Sequence, residues 1–158
     1  MSTYQNPLHR FFIFSAVNLA TPTDPKQIVI PSGIRFVRIN DCYFNCCTTA
    51  ANGTTLSSRL QLGDGTTATK YMNQKVGPDA TATAVAKGSS YGIKDLDGRV
   101  ATYSPAATPS STNKGFIDLL NDGASAGTLQ TFLTLTIVAN TGGTPAGVGD
   151  VCLDLEMW

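Results

Sequence analysis

Glutamate is almost absent from this chain, whereas threonine is its commonest residue. Glu156 is the only glutamate among 158 residues, and threonine occurs 21 times. Soluble helices place glutamate, lysine and glutamine on their hydrated faces, whereas strands place threonine there. A chain with this balance has little material for exposed helical surfaces. The composition therefore predicts an all-β protein.

Apolar and polar residues alternate in two runs near the C-terminus. The residues predicted to point inward are Leu133, Leu135, Ile137 and Ala139 in the first run, and Val151, Leu153, Leu155 and Met157 in the second. A period of two indicates strands with one face in a core and one face outward. About eight such strands, separated by long loops rich in glycine, serine and threonine, predict an antiparallel two-sheet sandwich with jelly-roll topology.

The length suits one domain with a sizeable core. Residues 1–10 are predicted to form an N-terminal arm, and residues 11–158 a single β-sandwich domain. The first strand is expected to place four apolar residues on one face, namely Phe11, Ile13, Val17 and Leu19.

Two further segments carry clear strand and turn signals. Residues 34–46 are predicted as a central strand covered on both faces, because apolar side chains occur at both parities. Arg35 and Arg38 interrupt this segment, so one of its faces is expected to be hydrated or to meet a partner. The sequence Gly63-Asp64-Gly65 predicts a turn, followed by a second strand over residues 66–72.

The cysteine spacing gives little support to a metal site. The four cysteines are Cys42, Cys46, Cys47 and Cys152, without a C-x-x-C pair, and the only histidine is His9. Buried, reduced thiols are predicted, while a bridge from Cys42 or Cys46 to Cys152 remains an alternative. The apolar run after Arg10 is interpreted as a strand rather than a signal peptide. No run reaches the roughly 18 apolar residues of a membrane-spanning helix, so no membrane partner is predicted.

No catalytic group can be assembled from the sequence. A histidine base near a nucleophile is not evident, and Asp154 and Glu156, two residues apart, are expected on the solvent face of one strand. Residues 95–98 resemble the start of a calcium loop, but Ala106 occupies the position of its last acidic ligand. The 11 basic and 11 acidic residues cancel, which disfavours nucleic acid as a partner. No enzyme activity, cofactor or metal is predicted.

Three stretches carry a family resemblance. Residues 28–36 (IVIPSGIRF), 59–65 (RLQLGDG) and 133–158 appear in this order, with Thr/Ala/Gly-rich loops between short strands and an aromatic residue at the end. In the order of these stretches and in the composition of its loops, the chain resembles the capsid decoration (cement) proteins of tailed bacteriophages. The resemblance implies a jelly-roll-like sandwich, commonly trimeric, that binds the outside of a phage head and bridges subunits of the major capsid protein. It also implies a place on the virion, after synthesis in the host cytoplasm, and no catalytic residues.

The residues expected to contact such a partner are Phe11, Phe12, Arg35, Arg38 and Trp158. An arm that ends in an aromatic run can lie across a neighbouring subunit or add a strand to its sheet. Removing water from a surface of threonine and serine costs less free energy than removing it from a charged surface. Such surfaces therefore suit contacts between subunits.

A carbohydrate-binding or receptor-binding module of a virion fibre is the alternative from another class. Its signature would be a platform of outward-facing rings, for which the chain offers Tyr71, Tyr91, Tyr103 and Trp158. A small hydrolase is a weaker third hypothesis.

Overall fold

The computed structural model describes residues 6–21, 24–52, 58–76, 90–92, 117–122, 125, 127–139, 141–142 and 146–158. These residues form nine strands: β1 (Leu8–Asn18), β2 (Lys26–Val29), β3 (Phe36–Asn52), β4 (Ser58–Gly63), β5 (Met72–Val76), β6 (Ser90–Gly92), β7 (Ile117–Asp118), β8 (Phe132–Val138) and β9 (Ala146–Met157). Within these ranges there is no helix that is long and apolar enough to cross a membrane.

The strands form two antiparallel sheets. The first sheet has the order β1-β9-β3, with β6 and β7 pairing with different parts of β3. The second sheet has the order β2-β8-β4-β5. Each sheet is therefore four strands wide, and the predicted all-β, two-sheet sandwich is confirmed.

The strand pairs nest as in one long hairpin. β1 pairs with β9, β2 with β8, β3 with β6 and β7, and β4 with β5. Rolling this hairpin brings β9 beside β3 and β8 beside β4. The result is the jelly-roll order that the alternating sequence predicted.

The core lies between the two sheets. The inward-facing residues predicted for the last two strands are buried: Leu133, Leu135, Ile137, Val151, Leu153, Leu155 and Met157. They belong to one cluster with apolar residues of both sheets. Burial of each such side chain contributes about 1.5–3 kcal/mol, so this cluster is the main source of stability. Ala139, also predicted to point inward, is half-buried just beyond β8.

The first strand changes its buried face part-way along. The prediction that Phe11, Ile13, Val17 and Leu19 share one face was wrong, because Phe11 and Ile13 are exposed whereas Val17 and Leu19 are buried. The ladder with β9 shifts near Ala16, whose φ of 55° lies in the left-handed region. This β-bulge adds a residue and so reverses the parity of the strand.

Two residues of β9 shape the strands on either side. The Asp150 side chain accepts the Ala16 N–H at 3.1 Å, which holds the bulge in β1. A Cβ atom at Gly149 would lie 2.1 Å from the carbonyl oxygen of Asn45 and 2.6 Å from the Phe44 ring. Only glycine therefore lets β9 approach β3 this closely.

β3 lies in the interior of the first sheet, as predicted, between β9 and the short strands β6 and β7. Its ladder with β9 shifts between Ile39 and Asp41. Val37 and Cys42, which have opposite parity, are consequently both buried. The prediction of two covered faces was wrong, since a bulge directs apolar residues of both parities to the same core.

Two other predicted boundaries were wrong. Leu8, His9 and Arg10 pair with β9, so the sheet begins within the predicted arm 1–10; residues 1–5 lie outside the described residues. The chain between Gly65 and β5 forms turns rather than a strand, and β5 begins only at Met72. Long-range pairing with β9 defines the first boundary, whereas local side-chain hydrogen bonds define the second.

Cys42 and Cys152 are both buried and not disulfide-bonded, as predicted. Cys42 pairs in register with Leu153, and Cys152 pairs with Tyr43. Their side chains consequently point to opposite sides of the first sheet, which excludes a bridge between these two thiols. Burial, above all, raises the pKa of the Cys42 thiol well above its ordinary value. The side chain of Cys46 lies outside the described part.

Candidate functional site

The side of the first sheet that faces away from the core carries most of the chemistry that the described residues offer. The register of β1, β9 and β3 builds three cross-strand rows there: His9–Glu156–Arg38, Phe11–Asp154–Asp41 and Ile13–Cys152–Tyr43. We call these nine residues the outer face of the first sheet.

Glu156 is the centre of the first row. Its Oε1 atom lies 2.6 Å from Nε2 of His9, and its Oε2 atom contacts the Nη2 atom of Arg38. The sequence placed Glu156 correctly on the outward parity, but the residue is only 8% exposed because the two partners cover it. The lone glutamate therefore ties together three neighbouring strands.

The third row and its neighbour Phe11 form an apolar strip. Phe11 is 53% exposed and Ile13 is 56% exposed. The ring of Phe11 reaches across β9 to the ring of Tyr43, with centroids 6.4 Å apart. These side chains surround Cys152, which is only 6% exposed although it points away from the core.

Tyr43 is polar at one end and apolar along its ring. Its side chain is hydrogen-bonded with Cys152, and this bond, more than burial and the nearby negative charges, raises the pKa of Tyr43 to about 12. Tyr43 is consequently an uncharged hydrogen-bonding group throughout the physiological range. It can serve as a neutral hydrogen-bonding contact within the apolar strip.

Acidic groups border the strip. Asp41 and Asp154 lie directly opposite each other on β3 and β9. Like charges in this relation are unfavourable in an isolated sheet. Asp154 also lies 3.8 Å from His9, but His9 and Arg38 are both shared with Glu156. The outer face thus has more carboxylates than cationic partners.

The predicted contact residues do not form one cluster. Phe11 and Arg38 lie on the outer face, and Arg38 also lies over the ring of Trp158, 5.9 Å from its centroid. Trp158 extends the ladder through hydrogen bonds with Phe36. Phe12, in contrast, packs against the core, because the side chains of neighbouring strand residues point to opposite sides.

Arg35, the fifth predicted contact, already has a partner within the chain. Its Nε and Nη2 atoms lie 3.1 and 2.9 Å from the two carboxylate oxygens of Asp118. The hydrogen bond with Arg35 is the main reason that the pKa of Asp118 is lowered to about 2. The guanidinium also lies 5.0 Å from the centroid of the Phe36 ring. This geometry fixes Arg35 at the end of β3 and β7.

A second polar cluster lies at the end of β4. Asp64 accepts the backbone N–H groups of Thr66 and Thr67 and the ammonium group of Lys70 at 2.7–2.9 Å. Burial alone would raise the pKa of Asp64, but the bonds from Lys70, Thr67 and Thr66 outweigh it and lower that pKa. The predicted Gly-Asp-Gly turn is thereby confirmed. These bonds occupy both carboxylate oxygens of Asp64.

A shallow cavity of about 220 Å³ adjoins this turn, lined by Asp64, Ser125, Thr128, Leu129, Gln130, Thr131 and Phe132. The buried amide of Gln130 donates to the carbonyl of Phe132 and lies 3.2 Å from the hydroxyl of Tyr71. Tyr71, one of the rings predicted for a stacking platform, is fully buried. The polar groups behind this cavity are therefore already hydrogen-bonded to one another.

Two other predicted features lie outside the described residues. They are the calcium-like segment 95–98 and the ring of Tyr103; the side chain of Tyr91 is likewise outside them. Among the residues that are described, no group of three or more histidine, cysteine, aspartate or glutamate side chains is arranged to hold a metal ion.

Comparisons with protein-family models, with curated proteins and with solved structures found no significant match. Sequence reasoning missed His9, Ile13, Asp41 and Tyr43 as members of one surface. Their parity was readable, but the bulges and the pairing of β1 and β3 with β9 decide which of them meet.

Proposed function

We propose that this protein is a non-enzymatic structural component of a virus particle, a decoration protein that binds the outside of a tailed-phage head and bridges its coat subunits. The observation that carries this proposal is the exposed apolar strip on the outer face of the first sheet. Phe11 and Ile13 are more than half exposed on the strand at the edge of that sheet. An apolar patch bordered by polar groups is typical of a protein interaction site.

The fold supports the same proposal. The jelly-roll order is used by viral capsid and lectin domains, although fold alone does not determine function. The resemblance of residues 28–36, 59–65 and 133–158 to decoration proteins adds to it. Charged residues are only 14% of the chain, a composition suited to surfaces that lose their water in an assembly.

Two measurements on the purified protein test the proposal. Light scattering should give the mass of a closed homo-oligomer, with a trimer expected. Sedimentation with purified tailed-phage heads should recover the protein in the pellet at physiological salt, whereas the protein alone should stay in the supernatant. A monomer that does not pellet with heads would refute the proposal.

A carbohydrate-binding module is the second candidate, and one observation favours it. The exposed ring of Phe11 lies beside the ring of Tyr43 and next to the carboxylates of Asp41 and Asp154. Rings next to carboxylates can stack on a sugar and accept its hydroxyl groups. Binding to a glycan array that is lost in Phe11→Ala and in Trp158→Ala, together with a monomeric mass, would establish this candidate instead.

A further inference from the structure

We infer that the outer face of the first sheet is the docking surface of this protein, and that its occupant is a positively charged, partly apolar protein surface rather than a second copy of the chain. The inference rests on the proposed function and names the chemistry of the coat surface that the protein would bind. Two properties of this face carry it, namely its exposed apolar strip and its unequal charge.

The apolar strip has the composition of an interface centre. Phe11 and Ile13 expose more than half of their surface, and Tyr43 contributes a ring next to Phe11. Aromatic residues are enriched at the centres of interfaces, with polar groups around them. On this face the surrounding polar groups are the carboxylates of Asp154 on β9 and Asp41 on β3.

The charge of the face defines its partner. Asp41, Asp154 and Glu156 lie on it, and Asp150 lies further along β9 at the same parity. Arg38 is the arginine on this face, and it is held by Glu156. Asp41 accepts the backbone N–H of Cys42 and Asp154 lies 3.8 Å from His9, but the two carboxylates remain cross-strand neighbours of like charge, which repel each other. Lysine or arginine side chains of a partner would relieve this repulsion.

The sheets differ in charge although the whole chain is neutral. The strands of the first sheet contain five acidic residues against Arg10 and Arg38, a difference of −3; the acids are Asp41, Asp118, Asp150, Asp154 and Glu156. The strands of the second sheet contain no acidic residue and three basic ones, a difference of +3; the bases are Lys26, Arg59 and Lys75. The acidic character of the first sheet is thus not a property of the chain as a whole.

A second copy fits this face poorly. In a two-fold contact the same patch meets itself, so the acids of one copy would face those of the other. A contact between the first sheet of one copy and the second sheet of the next has complementary charge. It joins opposite sides of a sandwich, however, so repeats of it form an open fibre unless the rotation between copies closes a ring.

The test uses the full-length protein and purified tailed-phage heads. One variant, Asp41→Asn with Asp154→Asn, removes two charges without changing side-chain size. A second variant, Phe11→Ser with Ile13→Thr, removes the two most exposed apolar side chains of the strip. The matched controls are Asp24→Asn, at an exposed acid before β2, and Val29→Thr, at an apolar residue of the second sheet that is 68% exposed.

Sedimentation is measured at about 50 and about 500 mM salt, where exposed charges are weakly and strongly screened. We expect the charge variant to bind heads about tenfold more weakly at low salt and like the unmodified protein at high salt. The apolar variant should bind about tenfold more weakly at both. Both controls should bind like the unmodified protein.

Circular dichroism and light scattering keep the outcomes distinct. The charge variant loses a like-charge contact, so it should remain folded and keep the oligomeric state of the unmodified protein. If the unmodified protein binds heads and the face variants bind equally well, this inference is wrong while the proposed function stands. If the unmodified protein does not bind, both fail. Loss of self-association in the face variants would show that the occupant is a second copy and would overturn the inference.

Discussion

The outward faces of the two sheets present different kinds of side chain to water. On the second sheet, Thr134 and Thr136 of β8 and Gln61 of β4 point outward, and Gln61 donates to Asn73 at 3.2 Å. On the first sheet, the corresponding positions hold rings, carboxylates and Arg38. The second sheet thus presents hydroxyl and amide groups together with Arg59 and the exposed Val29, whereas the outer face of the first sheet combines carboxylates with an apolar strip.

The difference shows where interaction energy can reside. The threonine and glutamine side chains of β8 and β4 hydrate the second sheet without favouring a particular partner. On the first sheet, an exposed apolar strip lies beside Asp41 and Asp154. Glu156, in contrast, is paired with His9 and Arg38 of the same chain. Charge complementarity gives a contact its register and selectivity. The threonine-rich composition therefore describes one face of the sandwich, and the function that we propose resides on the other.

The largest expected effect lies where the two sheets are alike. Leu155→Ala in the first sheet and Leu135→Ala in the second should each lower the free energy of unfolding by about 2–5 kcal/mol. Both side chains are fully buried in the common cluster. Urea denaturation followed by circular dichroism measures this loss. If only one of the two variants were destabilised, the inner faces would differ as well as the outer ones.

A smaller effect should separate the outer faces. Arg38→Ala leaves Glu156, which is only 8% exposed, with His9 as its remaining partner. Loss of a partner by a largely buried acid lowers the free energy of unfolding by about 1–3 kcal/mol. Thr136→Ala, on the second sheet, should change the stability by less than about 0.5 kcal/mol.

Denaturation of a double variant completes this comparison. Replacing Glu156 by Gln in the Arg38→Ala background should recover part of the loss, because the uncompensated charge is removed. Equal losses in Arg38→Ala and Thr136→Ala would mean that the charged row contributes no more than the threonines do.

Acid should destabilise the end of the first sheet. The pKa of Asp118 is lowered to about 2 by Arg35, whereas an unfolded aspartate titrates near about 3.9. A lowered pKa in the folded state contributes stability above the unfolded value, and this contribution is lost as the pH falls from about 4 towards about 2. Thermal unfolding at several acidic pH values should show a steeper decline for the unmodified protein than for Asp118→Asn. Parallel curves would contradict the role of this pair.

The smallest effect is spectroscopic. The absorbance change of tyrosine ionisation, taken as the unmodified protein minus Tyr43→Phe, should have its midpoint near pH 12, against about 10 for an ordinary tyrosine. A raised pKa in the folded state contributes stability that is lost as the pH rises from about 10 to about 12. Cys152→Ala should lower the midpoint, since the hydrogen bond with this thiol is the main cause of the shift. A midpoint near 10 in the unmodified protein would show that the outer face does not hold Tyr43 as described.

The sequence by itself determined the class of fold and much of the core. The scarcity of glutamate predicted strands, and the alternation from Val151 to Met157 predicted which side chains of β9 are buried. These features are local: a period of two places each side chain relative to its neighbours without reference to the rest of the chain. The turn at Asp64 was predictable for the same reason, since its acceptors and donors are adjacent in sequence.

Only the tertiary structure decided the composition of the outer face. The bulge at Ala16 reverses the parity of β1, so simple alternation misplaced Phe11 and Ile13, and the bulge between Ile39 and Asp41 reverses the parity of β3 in the same way. The bulge at Ala16 is held by Asp150, 134 residues away in the chain. A bulge depends on the partner strand with which the chain pairs, and that pairing is a long-range property that no local pattern of residues records.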